Sequence, residues 1–254
     1  MIDVEKELRK AIKHFWKTRS HQHKRQGAGS GRKDAGNRGA VLGGKHADGF
    51  VKLVAAIAHD AGLRKIHVHT TEKVRRTLPG FFRPTKEWDL VLVSGSDLVA
   101  AIEVKSQVGS FGNNFNNRVE EALGNATDLW AAYGKGILEP SQKPWLGYIF
   151  MLEEEEKSIR PTKRIHLKPF KVDEAFQELS YAKRYELVCE RLVRERLYDA
   201  ACFFTSNAKD GSRGICSQPN RELSIRNFAI SLHARAGAFA KLSNTAINAR
   251  RTLA

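Results

Sequence analysis

Residues 87–107, Glu-Trp-Asp-Leu-Val-Leu-Val-Ser-Gly-Ser-Asp-Leu-Val-Ala-Ala-Ile-Glu-Val-Lys-Ser-Gln, constrain the fold more than any other stretch of the chain. Two apolar runs, 90–93 and 98–102, flank Gly95, Ser96 and Asp97. That pattern predicts a β-hairpin with a short glycine-containing loop. With a three-residue loop, Ser94 faces Leu98 and Asp89 faces Glu103. Side chains alternate along a strand, so Glu103, Lys105 and Gln107 share one face while Ile102 and Val104 share the other. Two carboxylates and a lysine therefore meet at one end of an otherwise apolar hairpin.

Buried carboxylates are costly without a partner, and a divalent cation is a natural one. Mg²⁺ takes one or two carboxylates together with waters and substrate phosphate oxygens, which suits Asp89 and Glu103 as ligands. Lys105, beside both metal and phosphate, is placed to orient or deprotonate an attacking water, or to stabilise transition-state charge. Gln107, on the same face, is counted with them as a candidate catalytic residue. The plain alternative is a solvated Asp beside an exposed Glu/Lys strand end. The hairpin context, the apolar flanks and the basic chain favour a site.

Asp89 followed by Glu103-Val104-Lys105 resembles the motif of the PD-(D/E)xK nuclease superfamily, with Trp88 where a Pro is usual. The wider stretch 82–128 includes Phe-Arg-Pro-Thr-Lys-Glu-Trp-Asp and the run Lys-Ser-Gln-Val-Gly-Ser-Phe-Gly-Asn-Asn-Phe-Asn-Asn-Arg. It is similar to the XhoI-type family of type II restriction endonucleases. The resemblance implies a Mg²⁺-dependent homodimer that cuts double-stranded DNA at the palindrome CTCGAG and leaves 5′ overhangs. It further implies Asp89 and Glu103 as metal ligands, Val104 contributing its backbone carbonyl, and Lys105 as the catalytic lysine.

Charge points the same way independently. The 254 residues carry 43 Lys/Arg against 28 Asp/Glu, a formal net charge of +15. A balance so far beyond what solubility needs implies a polyanionic partner, and nucleic acid fits. The opening Met1-Ile2-Asp3 leads straight into a charged helix, with no signal peptide, and no run approaches the roughly 18 apolar residues of a membrane span. Cys189, Cys202 and Cys216 are odd in number and lack metal spacing. They read as reduced thiols, so the expected location is the bacterial cytoplasm.

Along the chain, residues 2–17 form an amphipathic helix with Leu8, Ile12, Phe15 and Trp16 on one face. Residues 17–45 are rich in Gly, His, Lys and Arg, so little hydrophobic burial opposes their ordering entropy, and a mobile arm is expected. Residues 1–45 hold twelve Lys/Arg against four Asp/Glu. Lys24, Arg25, Arg32, Lys33 and Arg38 are candidate phosphate contacts, which carry affinity rather than sequence. The stretch from Gly39 to Lys45 imitates a phosphate loop, but His46 replaces the Ser/Thr that holds Mg²⁺ and no strand precedes it, which argues against ATP. Residues 46–61 are helical, with Asp48 at the start as a helix-capping residue or an additional acid for the metal. Residues 66–71 read as a strand bearing His67 and His69, and 72–86 as a basic loop.

Beyond Lys105, the glycines and Asn113, Asn114, Asn116, Asn117 and Arg118 form a loop suited to entering a groove of DNA. Asn pairs bidentately with adenine and Arg with guanine in the major groove. Asn117 is also placed to cap the helix at 118–133. A strand at 145–152 is apolar on both faces, as a covered central strand would be. The acidic run 153–156 precedes a basic stretch at 157–171. Residues 173–197 read as a helix, 198–205 as a strand, 206–220 as a loop and 222–253 as a basic amphipathic helix. The whole is a mixed α/β sheet flanked by helices in a single nuclease domain: basic helix and arm 1–45, catalytic core 46–152, and a helical, basic completion 153–254.

Three functions are open on these residues. The leading one is a sequence-specific endonuclease acting as a dimer on a palindrome, since the symmetry of a target mirrors that of its reader. A structure-specific repair or junction nuclease would use the same core. A catalytically silent DNA-binding protein is disfavoured because Asp89, Glu103 and Lys105 are all present.

Overall fold

The computed structural model describes residues 2–27 and 46–252, with side chains described at 2–21 and 46–242. Five strands form the central sheet in the order β1-β4-β5-β6-β7: β1 Val68–His69, β4 Leu90–Ser94, β5 Asp97–Gln107, β6 Trp145–Glu153 and β7 Ala200–Ser206. β1, β4 and β5 run antiparallel to their neighbours, while β5, β6 and β7 are parallel. A separate antiparallel pair joins β2 Thr77–Pro79 to β3 Thr85–Glu87. The mixed α/β architecture is the predicted one.

Parallel neighbours need crossovers, and two helices supply them. α3, Phe111–Gly134, links β5 to β6, and α4, Tyr181–Arg194, links β6 to β7. Both crossovers step the same way along the sheet, so both helices cover one face. There they pack with Val91, Ala101, Tyr148, Phe150 and Phe203. The other face is covered by α1 Val4–Gly27, α2 Asp48–Asp60 and α5 Ile225–Thr252, over Leu90, Leu92, Ile102, Val104, Ile149 and Phe204. β6 is buried on both faces, matching its unbroken apolar run.

The hairpin departs from prediction at its tip. Ser94 pairs with Asp97, leaving a two-residue loop, Gly95-Ser96, with Gly95 at φ +63°. Only glycine takes such a φ without cost at the first position of a tight hairpin turn. A bulge between Leu92 and Val93 then takes up one residue, Val99, so that Leu92 faces Ala100 and Leu90 faces Ile102. The error at the loop is cancelled before the ladder reaches Asp89 and Glu103.

Other boundaries move for tertiary reasons. α1 runs ten residues past its predicted end, to Gly27, because propagating a nucleated helix through Lys, Arg and Gln costs little. Lys24 and Arg25 therefore lie on its last turns rather than on an arm. Arg32, Lys33, Arg38 and the phosphate-loop imitation at 39–45 lie outside the described residues. The basic loop 72–86 contains a one-turn helix, Lys73–Arg76, and the β2–β3 pair. The strand at 66–71 shrinks to two residues, and α4 starts at Tyr181, where Ser180 caps it through the Lys183 amide. Among the described residues, no helix is long and apolar enough to cross a membrane.

Candidate active site

Strand alternation puts Asp89, Glu103, Lys105 and Gln107 on the face covered by α3 and α4. Asp89 sits at the entry to β4, one step beyond the last ladder pair, and its Oδ2 accepts the Val104 amide at 2.8 Å. That bond fixes the aspartate beside the residue following Glu103. Val104 turns its side chain into the opposite core.

Glu103 is 2% exposed and is gripped by two lysines. Lys105 Nζ donates to its Oε1 and Lys86 Nζ to its Oε2, the latter at 3.0 Å. Lys86 also donates to the Glu87 carbonyl at 2.9 Å and lies over the buried Trp88 ring, 4.8 Å from its centroid. Burial and then the Glu103 charge push the Asp89 carboxyl up from 3.8 to about 6. Burial alone would lower the Lys105 ammonium, but the charge and hydrogen bond of Glu103, helped by Asp89 and Glu121, hold it above its ordinary value. Two carboxylates, one of them kept from ionising by burial and then by the charge of the other, form a donor set that a hard divalent cation fits. Among the described residues no third His, Cys, Asp or Glu joins them in a metal-binding group.

Of the remaining predicted residues, Gln107 is 5% exposed on the correct face. Its Nε2 donates to the Gly109 carbonyl at 2.5 Å, and its Oε1 has no partner among the described residues. No hydrogen bond ties it to Asp89, Glu103 or Lys105. Asp48 neither caps α2, whose N-cap is Ala47, nor joins the site, since α2 packs on the opposite face of the sheet. His67 and His69 are half-buried beside one another, with their imidazoles pushed down by burial.

The asparagine stretch is not a loop. Gly109 and Ser110 take left-handed φ values of +64° and +47°, and helix α3 begins directly at Phe111. Asn113, Asn116 and Asn117 are exposed, and their i, i+3, i+4 spacing sets them on one helical face. Asn114 donates back to the Ser110 carbonyl at 3.0 Å. Asn117 cannot cap a helix it lies inside. Arg118 Nη1 donates to Glu121 at 2.6 Å, so the pair stands one turn along the same helix.

Sequence reasoning missed Lys86 and Glu121. Lys86 shares strand parity with Trp88, yet the three-residue strand β3 is too short to register as periodic. Glu121 is visible as an i+3 partner of Arg118, but its closeness to Lys105 follows only from how α3 crosses the sheet.

Comparison with known proteins places the chain in a family. The family model described as restriction endonuclease XhoI matches residues 25–218. Type II restriction enzyme BstVI of Geobacillus stearothermophilus is 46% identical over 206 residues, 79% of this chain and 91% of that protein. Type II restriction enzyme XhoI of Xanthomonas vasicola is 40% identical over 194 residues, 76% and 77% of the two chains. Type II restriction enzyme AbrI of Azospirillum brasilense is 43% identical over 159 residues, 62% and 70%. No solved structure matches the chain. With a family model spanning most of its length and relatives at 40% identity or above over most of theirs, the chain belongs to the XhoI family of type II restriction endonucleases, which are site-specific deoxyribonucleases.

Proposed function

We propose that the chain hydrolyses double-stranded DNA with Mg²⁺ at a palindrome, CTCGAG by family resemblance, leaving 5′ overhangs, and that Asp89, Glu103 and Lys105 carry the chemistry. The observation behind this reading is the convergence of two carboxylates and a lysine on one sheet face, with Asp89 already resisting ionisation beside Glu103.

Asp89 and Glu103, with the Val104 carbonyl, would hold the cation, and Glu103 would loosen its hold on Lys86 or Lys105 to do so. Bound Mg²⁺ would supply Lewis-acid stabilisation of phosphate oxygens and a more acidic water. Lys105, held as an ammonium by its neighbours, suits the orientation of water and the stabilisation of developing phosphate charge better than proton removal. Water adds to phosphorus as the bond to the 3′ oxygen breaks, giving a 5′-phosphate and a 3′-hydroxyl. Gln107, with a free acceptor two residues on, would steady the water or a phosphate-bound solvent shell.

Asn113, Asn116 and Asn117 would meet base edges from the exposed face of α3, where Asn matches adenine. Asn114 and Arg118, already bonded within the helix, suit backbone contacts. Lys24, Arg25, Arg32, Lys33 and Arg38 would add sequence-independent phosphate affinity. A palindromic target calls for a two-fold homodimer.

Digestion of plasmid or phage DNA with and without Mg²⁺, with the fragment ends sequenced, tests the reading. Discrete fragments ending at one palindrome are expected. Nicking confined to branched DNA would move the chain to a structure-specific nuclease.

A further inference from the structure

The turn between β2 and β3 carries two phenylalanines that the fold leaves outside. Phe82 is 70% exposed and Phe81 44%, with their rings edge to face and centroids 4.9 Å apart. Hydrophobicity would draw such a pair inward. A buried carboxylate holds the turn instead. Asp128 of α3, 4% exposed, accepts the amides of Phe81 and Phe82 on Oδ1, each at 2.8 Å, and Arg83 Nε on Oδ2 at 2.8 Å. Arg83 Nη2 continues to Oδ1 of the buried Asn125 at 2.9 Å. Gly80 completes the clamp, because a Cβ there would stand 2.5 Å from Asp128 Oδ2 and 2.7 Å from the Arg83 carbonyl. Two buried polar side chains and a glycine without room for a side chain thus fix a turn whose own rings face solvent.

Charge and continuity identify what would cover those rings. Residues 72–87 carry Lys73, Arg75, Arg76, Arg83 and Lys86; each has a carboxylate partner, among Glu72, Glu87, Glu103 and Asp128, and Lys73 and Arg75 are the ones that still face solvent. The strand that leaves the turn delivers Lys86 to Glu103. Aromatic rings among cations suit nucleic acid, whose phosphates meet the charge while its bases stack on the rings. Along α3, Asp128 lies twelve residues from Asn116, about 18 Å at the rise of a helix. The turn and the asparagine face would therefore meet different parts of one target.

We propose that the Phe81–Phe82 turn is a stacking wedge for DNA: Phe82 packs on or between bases beside the cleavage site, and Asp128 and Asn125 are the positioning residues that hold it there. The proposal rests on the nuclease reading above.

Binding of the target duplex, measured without Mg²⁺, tests it. Phe82→Ala should weaken affinity about tenfold or more, in the range for losing one stacked base, with no change in the salt slope because no charge is removed. Phe82→Trp should retain affinity and add to the emission of the four native tryptophans a component that DNA quenches, read as the difference from the wild type titrated in the same way. Adding Asp128→Ala to Phe82→Trp should reduce that quenching while the circular dichroism remains that of the folded chain. Unchanged affinity for Phe82→Ala overturns the wedge. If the molecular mass in solution also halves, the turn belongs to a contact between two copies of the chain. Failure of the wild type to bind or cut duplex DNA would overturn the nuclease reading instead, and that is measured before any variant.

Discussion

The two faces of β5 differ in character, although their residues alternate one by one. Ile102 and Val104 enter a layer with Phe50, Ile149, Phe204 and Phe228, a closed apolar core under α1, α2 and α5. Glu103 and Lys105, their immediate neighbours, enter the layer under α3 and α4. That layer begins equally apolar, with Tyr148, Phe150 and Tyr185, and ends in charges. One face is complete in itself. On the other, a carboxylate with its pKa pushed up, by burial first, accompanies a glutamate shared by two lysines. Burial on this strand serves stability on one side and the tuning of charge on the other.

If the faces are separate in this way, variants on them should fail differently. Lys105→Ala should reduce DNA cleavage by about 10²–10³-fold or more, while the thermal melt and DNA binding stay near those of the wild type. Retained cleavage would overturn the site assignment. Ile102→Ala should instead lower stability by roughly 2–5 kcal/mol in denaturant unfolding, with the cleavage rate per folded molecule preserved. A cleavage loss without a stability loss would mean that the core face also shapes the chemistry.

Titration sharpens the contrast further. Asp89 is raised from 3.8 to about 6, so the fold favours its neutral form. In the metal-free protein, stability should fall as pH rises from about 4 to 6, because the native state binds the extra proton in that window. Cation binding requires the ionised form, so Mg²⁺ affinity measured by calorimetry should strengthen as pH rises through 6 and level off above it. Roughly tenfold weaker binding at pH 5 than at 7 is expected. Asp89→Asn should abolish the step. The smallest effect belongs to neither face. Neutralising Arg32 and Lys33 together should weaken binding on all sequences alike and shallow its salt dependence by about 0.9 for each phosphate no longer neutralised. A weakening confined to the specific target would make them base readers.

The legibility of the site follows the same division. Glu103, Lys105 and Asp89 could be placed from period-two alternation and a glycine turn because those rules are local. The three-residue loop was one residue too long, yet the bulge at Val99 restored the register, since a one-residue slip would have driven Glu103 into the apolar core. The asparagine run looked like a loop because Asn, Gly and Ser favour turns in isolation. It is helical because Phe111 packs on Tyr181 and Phe115 on Tyr185, contacts that only α4 provides. Lys86 and the Asp128 clamp were illegible because each joins segments 17 and 47 residues apart through single side chains.

By itself, then, the sequence determined the hairpin, the face on which its charges lie, the central strand β6 and the basic character that selects DNA. All of these follow from alternation, apolar runs and net charge, which need no knowledge of distant residues. The tertiary structure alone decided which second lysine reaches Glu103, that the asparagines stand on a helical face, and that Phe81 and Phe82 are held outward. Those depend on where α3 crosses the sheet, and a crossing is set by packing between segments far apart in the chain.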